Sequence, residues 1–140
     1  MKASEHISGF LNFLRQAEKD YSYYCDVQSE MDKDTTDILH TFELDDTLSD
    51  SDYAKLGRAC AGVRRRRRSA KDQIEVLSSI VEYISGHAEQ LRQLEKLLGE
   101  VRKTEKRQEN RVYIPRGSIV QDTLADRSIY EEETNGRNNN

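Results

Sequence analysis

Apolar side chains recur at alternating spacings of three and four along two stretches of this chain. The first stripe runs through Ile7, Phe10, Leu14, Ala17, Tyr21, Tyr24, Gln28, Met31, Thr35, Ile38 and Phe42. The second runs through Tyr53, Leu56, Cys60, Val63, Arg67, Ala70, Ile74, Leu77, Val81, Ile84 and Ala88. Heptad spacing turns one face of a helix toward a partner helix. If the chain reverses near Asp46, the two stripes match position for position. The pattern predicts an all-α fold built on a long, coiled-coil-like antiparallel helical hairpin. Gln28 and Arg67 interrupt the stripes at facing positions. Such a structural polar layer fixes register at some cost in stability.

The first helix is expected over about 4–43, with Ser4 as its N-cap and Glu5 in its first turn. Residues 44–51 supply Asp, Thr and Ser, which hydrogen-bond their own backbone and favour a turn. Ser49 or Ser51 is placed to cap a second helix over about 52–84. Ser85–Gly86 interrupts that helix, and Leu91, Leu94, Leu98 and Val101 read as a stripe in a new phase. The change predicts a shorter third helix over about 87–108. A turn at its start would fold it back over Leu11, Phe13, Ile80 and Ile84; direct continuation of the second helix is the alternative. Residues 111–116 are expected to be extended, because Pro115 and its β-branched neighbours disfavour helix. Residues 1–116 thus form one helical domain. The polar stretch 117–140 is expected to be a disordered tail, with Ile119, Val120, Leu124 and Ile129 too sparse to build a core.

Composition fits thin helices better than a thick core. Of 140 residues 35% are hydrophobic and 34% charged, with no Trp and one Pro. A net charge of -4 is mild for a chain of this size and implies neither nucleic acid nor an acidic tail. The chain carries no run of bilayer length and no N-terminal apolar stretch, so a cytoplasmic location is expected. Cys25 and Cys60 would lie about 15 Å apart along the hairpin. That exceeds the roughly 7 Å a disulfide tolerates, so both are expected to be free thiols. No metal site is expected, since the cysteines and His6, His40 and His87 lack ligand spacing. Seven scattered glycines form no phosphate-cradling loop, and no cofactor is expected. No nucleophile context or pocket-forming pattern appears, so no catalytic residues are assigned and the chain reads as a non-enzyme.

Charge supplies the candidate surfaces. Arg64–Arg68 is a run of five arginines that point around the helix, since each residue turns it by about 100°. Its internal explanation is pairing across the hairpin. Asp26, Glu30, Asp32, Asp34 and Asp37 on the first helix would face Arg58, Arg64, Arg65, Arg66, Arg68 and Lys71. Its functional explanation is phosphate binding by Arg64, Arg65, Arg66, Arg68 and Lys71, joined by Arg102, Lys103, Lys106 and Arg107. Cations at a helix C-terminus also oppose the macrodipole, which accounts for the last four without a ligand. Tyr113 is the sole aromatic near that second basic stretch, so base stacking has little support. Glu43, Asp45, Asp46, Asp50 and Asp52 make the hairpin tip acidic, either a solvated turn or a contact for a basic partner. Asn110, Arg111, Tyr113 and Arg116 complete the set of candidate protein-binding residues.

Three segments carry a resemblance: the basic run Arg64–Arg68 entering the apolar stretch to Leu77, then Leu97-Leu-Gly-Glu-Val-Arg-Lys103, then Asn110-Arg-Val-Tyr-Ile-Pro-Arg116. Together they resemble small helical proteins encoded by phages and prophages of Gram-positive bacteria. The likeness covers about residues 53–116 and implies a setting, the bacterial host cytoplasm, without a mechanism. In that setting a small charged non-enzyme acts by binding. The expected function is a protein-binding module that modulates or inhibits nucleic-acid-processing machinery of host or phage, for example an anti-CRISPR. The alternatives are weak, sequence-independent binding of nucleic acid in phage replication or recombination, and a structural coiled-coil oligomer. Homodimerisation through an unused apolar flank stays open.

Overall fold

The computed structural model describes residues 1–125. Three long helices follow one another: α1 (Ala3–Leu44), α2 (Asp50–Gly86) and α3 (Ala88–Glu109). The described residues contain no strand. The chain divides into two units, Met1–Lys103 and Thr104–Asn140.

Local chemistry sets the helix ends. Lys2 rather than Ser4 caps α1, and its N–H donates to the Glu5 carboxylate at 2.7 Å. Ser4 lies inside the first turn and is buried. At the other end the Asp45 N–H donates to the Thr41 carbonyl at 3.1 Å. The Asp45 carboxylate accepts from the Thr47 N–H at 2.9 Å and the Thr47 hydroxyl at 2.6 Å, closing the turn. Ser49 then caps α2. Its hydroxyl accepts from the Asp52 N–H at 3.1 Å, while the Asp52 carboxylate accepts from the Ser49 N–H at 3.0 Å.

Helices α1 and α2 pack as the antiparallel hairpin the stripes predict. Phe42 stacks on Tyr53 beside the turn, with ring centroids 5.7 Å apart. Farther along, Val27 and Met31 meet Ala70 in a buried cluster flanked by Tyr24 and Val63. Both cysteines are half-buried free thiols. The core is one layer thick: its buried apolar members are Leu11, Leu14, Ala17, Val27, Met31, Ala70 and Leu98.

The polar layer differs from expectation. Arg67 does not pair with Gln28. Its Nε donates to Asp32 Oδ1, and Arg64 Nη1 lies 4.0 Å from the same oxygen. A full negative charge one turn beyond Gln28 is the stronger acceptor, and the arginine side chain is long enough to reach it. Val27, next to Gln28, fills the buried position.

The third helix also departs from the fold-back expectation. Arg15 pairs with Glu95 at 2.8 Å, and Arg102 donates to Ser8 at 3.4 Å. Seven residues earlier on α1 therefore meet seven residues later on α3, so α3 runs antiparallel to α1, in the same sense as α2. No change of phase exists either. Buried and half-buried positions continue through Leu77, Val81, Ile84, His87, Leu91, Leu94, Leu98 and Val101, because Ile84 and Leu91 are one heptad apart. The break between α2 and α3 is His87 alone, with φ -128° and ψ 31°. Its N–H donates to the Ile84 carbonyl at 3.3 Å. The Tyr83 carbonyl, which a continuous helix would bond to that N–H, lies 2.8 Å from the His87 ring Nδ1. Since a carbonyl can only accept, Nδ1 carries the proton. The ring also stacks on Tyr83, with centroids 4.0 Å apart.

This course of α3 explains a shift in the α1 stripe. Leu11 is buried at 4% exposure while Phe10 is 46% exposed. Leu11 and Leu14 share a small cleft with Ile84 and Leu91, closed by Arg15, Glu18 and Glu95. Near its start α1 thus faces two segments, and its contact line rotates toward the second. Phe13, expected under α3, stays exposed.

In the second unit residues 111–116 form neither helix nor strand. Residues 119–125, at the start of the polar stretch, are helical. The Asp122 N–H donates to the Ser118 carbonyl at 2.8 Å, and the Thr123 hydroxyl donates to the Ile119 carbonyl at 2.6 Å. These backbone and side-chain bonds form without a core, and Ile119, Val120 and Leu124 remain exposed. The rest of the predicted tail, including Ile129, lies outside the described residues.

Candidate interaction surfaces

The arginine run is only partly absorbed by the hairpin. Asp32 takes Arg64 and Arg67. Among the described residues no carboxylate lies within salt-bridge distance of Arg58, Arg65, Arg66, Arg68 or Lys71. The predicted partners Asp26, Glu30, Asp34 and Asp37 form no ion pair with described residues. Rotation of about 100° per residue explains this: consecutive arginines cannot all face α1. Lys55, exposed on the same helix, belongs with the unpaired group. The signal was an absence, since no acidic residue occurs between Tyr53 and Lys71.

The second basic stretch is divided in role. Arg102 reaches Ser8, and Lys103 pairs with Glu100 at 3.3 Å. Lys106 and Arg107 occupy the last turn of α3, where cations complement the helix dipole.

The acidic tip is likewise partly structural. Asp45 and Asp52 are spent on Thr47 and Ser49. Hydrogen bonds from the Thr47 hydroxyl and then its N–H hold the Asp45 carboxyl below the usual aspartate value. Glu43, Asp46 and Asp50 are left facing solvent.

The irregular segment after α3, in the second unit, presents a different chemistry. Val112, Tyr113 and Ile114 are 84%, 75% and 76% exposed. Asn110 and Arg111 still donate backbone N–H groups to the end of α3, at 3.1 and 3.3 Å. From Val112 to Arg116 no backbone group bonds to a described residue. Arg111 and Arg116 flank the apolar triplet and line a shallow hollow with it. Tyr113 is the one apolar residue of this surface expected from the sequence; Val112 and Ile114 belong to the same surface.

Among the described residues no group of three His, Cys, Asp or Glu side chains is arranged to hold a metal ion. No described helix is long and apolar enough to cross a membrane. No family model, curated protein or solved structure matches this chain.

Proposed function

We propose that this chain is a non-enzymatic protein-binding module of a phage or prophage, acting in the cytoplasm of its bacterial host. Its target is a nucleic-acid-processing protein of host or phage, whose activity it modulates or inhibits, as an anti-CRISPR does. The observation that carries the reading is the Val112–Ile114 triplet. Three consecutive residues with high strand propensity stand exposed on a backbone outside any helix or strand, with unbonded N–H and C=O groups. Such a segment is suited to join the edge of a partner's sheet, with backbone bonds giving affinity and side chains giving selectivity. Arg111 and Arg116 would then flank the docked strand and favour an acidic rim.

The test is paired capture from lysate of a Gram-positive host, read by mass spectrometry, using the full chain and a Val112→Ser, Tyr113→Ser, Ile114→Ser variant. A nucleic-acid-processing protein enriched by the native chain and lost with the variant is expected. Equal capture by both would remove the segment from the interface. Expression of the native chain should also protect an incoming phage from the defence system to which the captured protein belongs.

A further inference from the structure

We propose that the outward face of the first half of α2 is a binding site for the phosphate backbone of duplex DNA, separate from the protein-binding segment above. Lys55, Arg58, Arg65 and Arg68 are all exposed. Arg58 and Arg65 are two turns apart and project in nearly the same direction, away from the seam at Leu56, Cys60, Val63 and Arg67. Lys55 and Arg68 each stand one turn beyond them, giving a cationic line about 20 Å long. That length crosses a groove about 12 Å wide and reaches phosphates on both of its walls.

Three features favour phosphate over other anions and over single strands. None of the four cations has a carboxylate partner among the described residues, so none must be released before a ligand binds. Small residues, Ala61 and Gly62, fill positions between Arg58 and Arg65, and a Cβ at Gly62 would meet nothing within 4 Å. A sugar–phosphate backbone can therefore lie close against the helix while guanidinium groups close on its oxygens. The face also carries no aromatic side chain on which an unpaired base could stack, and no large apolar side chain to anchor an acidic protein. Asp72 ends the line.

The test is fluorescence anisotropy of a labelled duplex of about 20 base pairs, titrated with the full chain at several salt concentrations. Four neutralised phosphates predict that log affinity falls with log salt at a slope of about 3.6, so binding weakens roughly 100-fold between about 50 and about 200 mM. In an Arg58→Gln, Arg65→Gln, Arg68→Gln variant the slope should drop to about 1. All three substitutions are at exposed positions, and unchanged helicity by circular dichroism would confirm that the hairpin is retained. A Lys106→Gln, Arg107→Gln variant should keep the native slope, and a duplex of scrambled sequence should bind equally. Absence of binding at low salt, or a native slope below about 2, would overturn the proposal. So would a triple variant that binds like the native chain, or polyglutamate competing as well as unlabelled duplex.

Discussion

Asp45 and Arg67 each show one side chain doing a task that can be measured separately. The Asp45 carboxyl is held below its ordinary value by the Thr47 hydroxyl first and the Thr47 N–H second. A folded value lower than the unfolded one means a contribution to stability that is present above the usual aspartate range. That contribution is lost as pH falls through the lowered value. Replacing Thr47 with Val removes the larger of the two bonds, so the Asp45 titration followed by NMR should move upward toward that of a free aspartate. An unmoved midpoint would mean that the hydroxyl is not the cause. For Arg67 the measurement is a pair of double-mutant cycles. Asp32 and Arg67 are expected to couple by about 0.5–1 kcal/mol, because the pair is half exposed and screened. Gln28 and Arg67 should couple by less than about 0.3 kcal/mol. The reverse order would restore the glutamine as the partner of Arg67.

Helix by helix, the chain is legible to different depths. The turn between α1 and α2 could be read because the Asp45, Ser49 and Asp52 side chains accept from backbone N–H groups within three residues of themselves. The direction of α3 was obscured by Gly86, which looks like a hinge. The heptad from Ile84 to Leu91, present in the same residues, says that one face continues. What breaks the helix is His87, whose ring takes the carbonyl of Tyr83, and no composition rule anticipates that bond. The exchange of Phe10 for Leu11 depends on where α3 lies, so it was invisible until tertiary contacts were known. The partner of Arg67 was equally hidden, since a long side chain can select an acceptor one turn either way. Packing between the helices is testable at the Val27–Met31–Ala70 cluster. Met31→Ala is expected to cost about 2–4 kcal/mol, read from urea unfolding. A cost below about 1 kcal/mol would show that the surroundings collapse into the space or that the layer is loosely held.

For the unit Met1–Lys103 as a body, much large apolar surface remains outside the seam, including Phe13, Tyr23, Leu39, Val76, Tyr83 and Leu97. Function was legible here only as a set of surfaces. The charge runs and the Val-Tyr-Ile triplet are visible in the sequence, but which charges are already neutralised emerged only with the side chains in place. The thinness of the seam has a further consequence. Each layer leans only on its immediate neighbours, so no central mass shares strain between distant parts of the hairpin. A ligand seated on one stretch should slow amide exchange there and leave remote turns breathing as before. Protection mapped along the chain would then trace the outline of whatever is bound.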